Sequence, residues 1–452
     1  MTRTEPMTRV ASIKSRPTPV RHVRARRAGA LASAAGLVIA AALWARHVNV
    51  HLGTAAPLLG HLHPRVSWLT LPAVAVGVAG VVIAPALARR LPWRWVPLAT
   101  WLMALCWAFA LAGADGADGI IAPLTTPDEY LPDLGHVHGL GSYLSDFTTH
   151  VQNPSTGQFL WSVHVAGGPP GTLLVLALLA RAGLDGPVPA ALLVVLVGTA
   201  AAPAAAVTAR HVAGQAAARR AAPFLAYAPM AIWVATSADA LFLGVAAWGI
   251  APLAAAATMP AERRAHGDLL ALTGGALLGV ALYCSYGIAP LGAVAVAVVV
   301  CARRFRPLLT GAVGVLIIAA VFTSYGFSWW TGLSATRIRY ADGLAALRPY
   351  TYFLLADLAA FAIAVGPAAI AGLASLPHSS RLWWPIGGAL IAAAGSDLSG
   401  LSKGEVERIW LPFAIWILLA AAALDTTRGY RRWLAFQVAL GLTLQIVLVT
   451  NW

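Results

Sequence analysis

Residues 69–90, LTLPAVAVGVAGVVIAPALARR, decide the fold class of this chain, because they carry no charge before the final pair of arginines. A run of about 20 apolar residues matches the length of a helix that crosses the hydrocarbon core of a bilayer. Similar runs recur along the 452 residues, of which 59% are hydrophobic and 11% charged. Soluble domains carry about 25% charged residues. The sequence therefore predicts an all-α polytopic membrane protein and argues against a soluble enzyme with a membrane anchor.

Apolar runs of roughly 17–25 residues predict about 13 transmembrane helices. These runs are 28–47, 69–90, 96–113, 188–208, 221–237, 238–257, 268–285, 287–302, 308–327, 350–373, 382–397, 409–425 and 433–450. The apolar stretch 171–183 is shorter, and we predict a short re-entrant helix there. Residues 1–27 are basic and contain Pro, Ser and Thr. This composition predicts a disordered basic cytoplasmic tail before a single transmembrane domain, 28–452.

The distribution of basic residues predicts the orientation, because lysine and arginine accumulate in cytoplasmic loops. With 171–183 re-entrant, most of the 31 basic residues fall in cytoplasmic segments, whereas a full span there would invert every later loop. We therefore expect a multi-pass plasma-membrane protein with a cytoplasmic N-terminus. The net charge of +14 then reflects the loop bias and not nucleic-acid binding, since no basic stripe is interleaved with exposed aromatic residues. Most of the 17 acidic residues fall near the outer face, in the outer segments 113–170, 328–350 and 397–410.

The first outer segment carries the candidate catalytic carboxylates. Apolar residues recur at helical spacing from Tyr130 to Phe147, which predicts an amphipathic helix on the outer membrane surface. Just before them, Asp128 and Glu129 lie in the run TPDEYL. A carboxylate at this position can act as a general base on an acceptor hydroxyl, or can bind a divalent cation that neutralises a phosphate. Asp128 can equally cap the amphipathic helix.

Two weaker carboxylate candidates and one histidine complete the first outer segment. Asp115 and Asp118 directly follow a predicted span, and His164 precedes the rigid turn at Pro169 and Pro170. The histidine can donate to a phosphate or assist proton transfer, and the alternative is a solvated loop histidine.

The third outer segment concentrates ionisable residues at the mouth of a span, where they are costly and tend to mark a site. Lys403 and Arg408 can grip a phosphate, while Glu405 and Glu407 can hold these cations or bind sugar hydroxyls. The alternative is a polar turn with internal ion pairs. In the second outer segment, Tyr340 and Arg348 can add phosphate contacts or snorkel to the interface. Asp239, Asp357 and Asp397 lie where spans meet the outer surface and can line a polar cavity.

The order of these motifs resembles the GT-C superfamily of polytopic glycosyltransferases, and within it the actinobacterial cell-envelope enzymes. The resemblance rests on TPDEYL and HVAGGPPG in the first outer segment, followed by SYG, RPYTYF and SKGEVERIWLPF. It covers most of the chain from about residue 95 onward, and the predicted spans 28–47 and 69–90 precede it. Heavy use of Ala, Gly and Arg is typical of a GC-rich, actinobacterial genome.

The resemblance implies transfer of a sugar from a polyprenyl-phosphate donor in the membrane lipid to an envelope glycan or glycolipid acceptor. It implies Glu129 or Asp128 as the base and places Lys403 and Arg408 near the donor phosphate. The alternative is a transporter or flippase of a lipid-linked envelope intermediate, which should carry ionisable residues at mid-membrane. The predicted spans are nearly free of charge at their centres, which favours the enzyme. A scaffold protein would tolerate the loss of Glu129 or Arg408.

Overall fold

The computed structural model describes residues 20–152, 159–424 and 428–450, and in these ranges the chain is nearly all helical. The first ten helices of seven or more residues are α1 Val20–Trp44, α2 Thr70–Arg90, α3 Val96–Ala112, α4 Leu140–Asp146, α5 Gly171–Arg181, α6 Pro187–Thr199, α7 Ala201–Ala213, α8 Gln215–Ala226, α9 Asp239–Thr258 and α10 Arg264–Cys284. The remaining helices of that length are α11 Gly292–Cys301, α12 Arg306–Ser324, α13 Trp329–Asp342, α14 Tyr350–Leu373, α15 Trp383–Ser399, α16 Leu411–Ile417 and α17 Arg428–Val447.

Shorter elements connect these helices. Single α-helical turns cover Asp118–Ile121, Val163–Ala166, Ala231–Val234, Leu344–Leu347 and Val406–Ile409. Segments of 3-10 helix cover Gly53–Ala55, Trp93–Trp95, Gly113–Asp115, Ala122–Thr125, Leu131–His136, Phe147–His150, Ala261–Arg263, Tyr286–Leu291 and Leu418–Ala423. Two strands of two residues each, His61–Leu62 and Leu448–Val449, pair antiparallel.

Within the described ranges, eight helices are long and apolar enough to cross a membrane, which identifies an all-α polytopic membrane protein. They are His22–Trp44, Thr70–Arg90, Trp93–Asp115, Pro187–Ala213, Asp239–Thr258, Ala261–Cys284, Arg306–Ser324 and Tyr350–Leu373. Three predicted spans, 221–237, 287–302 and 409–425, are broken into shorter helices. In the first of them, α8 ends at Ala226 because Pro229 restricts the backbone before it. The full set of about 13 spans stays a prediction.

The first helix begins earlier in the sequence than the first predicted span. Residues 1–19 of the predicted tail lie outside the described residues, and α1 begins at Val20, eight residues before the predicted span. The prediction of a short apolar helix after the double proline is confirmed by α5. Its 11 residues rise only about 16 Å, which is too short to cross the hydrocarbon core.

The predicted amphipathic helix from Tyr130 to Phe147 is wrong. The structure breaks this stretch into a 3-10 segment, an extended link at Gly139 and the short helix α4. Pro132 and Gly135 interrupt the helical propensity of the segment. Its apolar side chains, among them Tyr143, are buried in the body of the protein. The helical spacing therefore reports burial against neighbouring helices and not a long helix on a membrane surface.

Small residues allow the long helices to approach closely. A Cβ atom placed on Gly275 of α10 would lie 1.8 Å from the carbonyl oxygen of Gly311 in α12, so only glycine fits at this crossing. Gly275 and Gly279 form a GxxxG pattern of the kind that lets membrane helices pack backbone to backbone. In α14, the break at Gly366 frees two backbone groups. The buried Gln437 side chain of α17 accepts from the Ala368 nitrogen and donates to the Val365 oxygen, which satisfies them.

The three segments predicted to be outer meet at one end of the bundle, which we call the loop end. The Thr336 hydroxyl donates to the carbonyl of Ala166, which joins the first and second segments. The Tyr340 hydroxyl accepts from the Lys403 nitrogen, which joins the second and third. At the opposite end, where α2 ends, Arg219 donates to the carbonyl of Ala88.

Candidate functional site

The turn that follows α15 places the ionisable residues of the third segment. Gly404 and Glu405 both adopt left-handed backbone angles, with φ of +84° and +63°. A side chain at Gly404 would collide with Phe353 and Leu52, so glycine is required there. The Gly404 nitrogen donates to Asp357 Oδ1 at 3.0 Å, which fixes the turn to α14.

The buried guanidinium of Arg408 is the centre of an ion-pair network. The single helical turn Val406–Ile409 puts Glu405 and Arg408 on the same face, and Arg408 Nη2 donates to Glu405 Oε2 at 2.7 Å. Arg408 Nη1 donates to Asp239, whose Oδ2 also accepts from the Ser237 hydroxyl at 2.7 Å. Arg408 is only 7% exposed. Burial by itself would lower the pKa of Arg408, but the carboxylates of Asp239 and Glu405 outweigh it, and the pKa is raised.

The network continues through His164 to a buried carboxylate in the first segment. Arg408 Nη2 lies 3.0 Å from His164 Nε2, and His164 Nδ1 lies 2.9 Å from Glu129 Oε1. A guanidinium nitrogen can only donate, so His164 Nε2 accepts in this contact and the neutral ring carries its proton on Nδ1. The contact of Nδ1 with Glu129 Oε1 has an ion-pair distance but not the geometry of an aligned hydrogen bond. Glu129 is 2% exposed, and its Oε2 has no hydrogen-bond partner among the described residues. The histidine thus couples a buried carboxylate to a buried cation.

A second set of contacts surrounds Lys403. Arg348 is buried, and its Nη1 donates to the Lys403 carbonyl at 2.6 Å and to Glu405 Oε1 at 3.2 Å. Lys403 Nζ donates to the Arg348 carbonyl at 3.1 Å, and its ammonium lies 5.9 Å from the centre of the Tyr340 ring. Lys403 is partly buried, whereas Arg348 and Arg408 are buried. Burial opposes the ionisation of Glu405, but Arg408 and Arg348 outweigh it and lower the pKa of this carboxyl.

The remaining carboxylates of the third segment lie apart from this network. Glu407 is fully buried, and its Oε1 accepts from the Leu59 nitrogen at 2.9 Å. Burial raises the pKa of Glu407 to about 7. Asp357 and Asp397 are buried at the loop ends of α14 and α15. Glu407 therefore ties the turn to the N-terminal part of the chain instead of facing His164.

The two candidate bases lie in different surroundings, Glu129 buried beside His164 and Asp128 at the surface. Asp128 is exposed in a turn, and the 3-10 segment that follows has no side-chain cap. Asp128 contributes through its backbone, since its carbonyl accepts from the His164 nitrogen at 3.0 Å. Asp133 joins the same two segments of the chain, because its carboxylate accepts from the Ser162 nitrogen at 2.7 Å.

Sequence reasoning placed Asp239 at the outer surface but missed that it is the principal partner of Arg408. The available signal was a buried-helix start, TSADAL, with one carboxylate in an otherwise apolar run. Within the described ranges, no three His, Cys, Asp or Glu side chains come together in an arrangement that could hold a metal ion.

The fold and these contacts define a polytopic helical membrane protein with a buried network of acidic, basic and histidine side chains at one end of its bundle. No protein-family model matches the chain, and no curated protein is significantly similar to it.

Proposed function

We propose that this chain is an outer-face glycosyltransferase of the GT-C type, which transfers a sugar from a polyprenyl-phosphate donor to a cell-envelope glycan or glycolipid. The observation that carries the proposal is the state of Glu129. Glu129 is 2% exposed, one of its oxygens lies 2.9 Å from His164 Nδ1, and the other has no hydrogen-bond partner among the described residues, so it can accept a proton.

The orientation of Glu129 depends on residues that never need to touch the substrate. Arg408 donates to His164 Nε2, which leaves the ring proton on Nδ1, the nitrogen that lies 2.9 Å from Glu129 Oε1. Asp239 and Glu405 neutralise Arg408 and occupy its donors. We therefore assign Arg408 to positioning, and not to the phosphate contact that the family resemblance implies.

The phosphate contact falls to Lys403 in this proposal. Lys403 is partly exposed, belongs to the same turn as the network, and has its ammonium 5.9 Å from the centre of the Tyr340 ring. The pairing of Arg348 with the Lys403 carbonyl keeps this turn in place. An ammonium at this position would stabilise the negative charge that develops on the leaving phosphate.

The proposed reaction follows from these positions. The acceptor hydroxyl gives its proton to Glu129 while its oxygen forms a bond to the anomeric carbon of the donor sugar. The bond from that carbon to the phosphate oxygen breaks, and its electron pair leaves with the polyprenyl phosphate, whose charge Lys403 stabilises. The concentration of basic residues in the segments predicted to be cytoplasmic supports an extracytoplasmic site through the positive-inside rule.

The test is sugar transfer by the full-length protein in nanodiscs, with a panel of radiolabelled polyprenyl-phosphate sugars and an envelope-glycan extract. We expect wild-type protein to transfer label and Glu129→Gln to lose about 100-fold or more of the rate. The matched control is Asp128→Asn, which alters the exposed neighbouring carboxylate and should keep the wild-type rate. Full activity of Glu129→Gln, or no transfer by wild-type protein from any donor of the panel, would refute the proposal.

A further inference from the structure

A set of exposed arginines lies at the end of the bundle opposite the loop end. Arg89 and Arg90 close α2, Arg94 directly precedes α3, and Arg210 lies in the last turn of α7. We call these four residues the arginine group. Within the described ranges, none of the four side chains forms an ion pair or donates a hydrogen bond. Four cations without carboxylate partners create a positive potential that attracts an anion.

Trp93, in the turn between α2 and α3, holds arginines of two neighbouring helices. The guanidinium carbon of Arg210 lies 4.8 Å from the centre of the Trp93 ring, and that of Arg219 in α8 lies 5.9 Å away. Arg219 braces the helices, since its Nη1 donates to the Ala88 carbonyl at 2.6 Å. A cation–π contact uses no N–H donor, so the planar fork of Arg210 stays available to a phosphate. Trp93 follows Arg90 by three residues, which keeps their Cα atoms within about 11 Å.

The arginine group lies where three helices of membrane-spanning length have their ends. Thr70–Arg90 and Pro187–Ala213 end here, and Trp93–Asp115 begins here. The ends of such helices lie at the headgroup region of a bilayer. The four guanidinium groups therefore lie at the depth of the lipid phosphates, where basic pockets between membrane helices bind anionic headgroups.

The exposed side of α2 supplies an apolar surface that leads to two of these arginines. Val78, Val82 and Ile83 are exposed, as expected for side chains that meet acyl chains. Arg89 and Arg90 follow Val82 and Ile83 by seven residues, which is close to two helical turns, so each pair shares a face of the helix. The lipid-facing side of α2 thus ends in two cations. A soluble anion would match the cations but would leave the apolar surface without a partner.

We infer that the arginine group binds the phosphate of an anionic phospholipid whose acyl chains lie along the exposed side of α2. Orientation by the positive-inside rule requires only that basic residues lie in a cytoplasmic segment. It does not require an arginine held on a tryptophan ring beside a lipid-facing helix. The lipid site lies at the opposite end of the bundle from Glu129, so it does not depend on the proposed function.

The experiment counts lipid bound to the full-length protein by native mass spectrometry from micelles of a neutral detergent. The protein is titrated with phosphatidylglycerol, and separately with phosphatidylcholine and with inorganic phosphate. We expect phosphatidylglycerol to bind about tenfold more tightly than phosphatidylcholine, whose headgroup has no net charge. Combined Arg89→Gln and Arg90→Gln should weaken phosphatidylglycerol about 25-fold, and Arg210→Gln alone about fivefold, at about fivefold for each arginine near the membrane surface.

The matched control is the combined Arg263→Gln and Arg264→Gln variant, which removes two neighbouring arginines from the same end of the bundle. His211 Nδ1 lies 2.8 Å from the Thr258 hydroxyl, so the end of α9, just before this pair, lies beside the end of α7. This variant should bind phosphatidylglycerol as wild-type protein does. The unfolding midpoint of each variant is measured without added lipid, and Arg210→Gln tests the site if the α2 pair prevents folding.

Three results would overturn the lipid site. The first is equal binding of phosphatidylglycerol and phosphatidylcholine by wild-type protein. The second is an equal loss of binding in the two double variants, which would indicate a general effect of charge. The third is inorganic phosphate that binds as tightly as phosphatidylglycerol and displaces it, which would indicate a site for a soluble anion.

Discussion

Removing the charge of Arg408 should be among the most destabilising single changes in this protein. Arg408→Met keeps most of the aliphatic volume but leaves the buried carboxylate of Asp239 without its cation, whereas Glu405 keeps Arg348 as a partner. Breaking a buried ion pair by removing one partner costs about 3–5 kcal/mol, because the remaining charge is uncompensated. Since Asp239 is 6% exposed and cannot regain water without opening the loop end, we expect a loss in the upper part of that range.

A double-mutant cycle isolates the pair from the rest of the network. Asp239→Asn alone should cost less than Arg408→Met, since Arg408 keeps Glu405 and His164. The double variant should recover about 1–3 kcal/mol relative to the sum of the two single changes. The assay is reversible unfolding in mixed micelles followed by tryptophan fluorescence, with each variant measured at the same lipid composition.

The matched control is an ion pair at the other end of the bundle. Arg306 donates through two nitrogens to Asp268, at 2.8 and 2.7 Å, but both groups are open to solvent. Arg306→Met should therefore change the unfolding free energy little, because exposed pairs are screened by water. Equal effects of Arg306→Met and Arg408→Met, or strict additivity in the Asp239 cycle, would refute the reasoning.

Three further predictions follow from the loop end and from helix packing. Burial raises the pKa of Glu407 from 4.5 to about 7, so the stability that the protonated carboxyl contributes is fully present below about pH 4.5 and is lost as the pH rises through 7. The Glu407→Gln variant stays neutral, so its unfolding free energy should rise by about 3 kcal/mol relative to wild type between pH 4.5 and 8 in the same unfolding assay. Parallel pH profiles of the two proteins would contradict this. Gly275→Val should lower the unfolding free energy by about 1–3 kcal/mol or more, because its Cβ would overlap the Gly311 carbonyl. Gly292→Val is the control and should lower it much less, because a Cβ there meets nothing within 4 Å. Equal losses of stability in a thermal-shift measurement would refute the packing argument. Lys403→Met should raise the KM for the polyprenyl-phosphate donor and lower kcat, while Lys403→Arg should retain part of both; an unchanged donor dependence would remove Lys403 from the phosphate contact.

The helical framework was largely predictable from the sequence, because membrane-spanning helices are recognised by the length and apolar composition of their segments. The segment 69–90 corresponds to α2 within one residue, and 350–373 corresponds to α14. The short helix α5 was predictable as well, since the double proline at 169–170 prevents it from extending backwards. Breaks such as the one after Ala226 depend on how neighbouring helices satisfy the freed backbone, which local sequence does not specify.

The candidate site was predictable in its membership but not in its pairing. The sequence predicts site residues among the ionisable groups near the membrane surface, and these include Glu129, His164 and Arg408. Arg408 donates hydrogen bonds to Asp239, Glu405 and His164, and these partners lie up to 244 residues away in the sequence. Local spacing carries no information about such partners, and so the sequence did not predict that Arg408 pairs with Asp239. The amphipathic helix failed for a related reason, because helical spacing also arises when short turns bury their apolar residues.

The most direct test of the proposed chemistry is a structure of the full-length protein in nanodiscs with a non-hydrolysable polyprenyl-phosphate sugar analogue. The account predicts the phosphate within hydrogen-bond distance of the Lys403 ammonium, the anomeric carbon facing Glu129, and Arg408 still paired with Asp239 and Glu405. A lipid that lies in a path open to both faces of the bundle, or a phosphate held far from Lys403, would contradict it and favour transport of a lipid-linked intermediate.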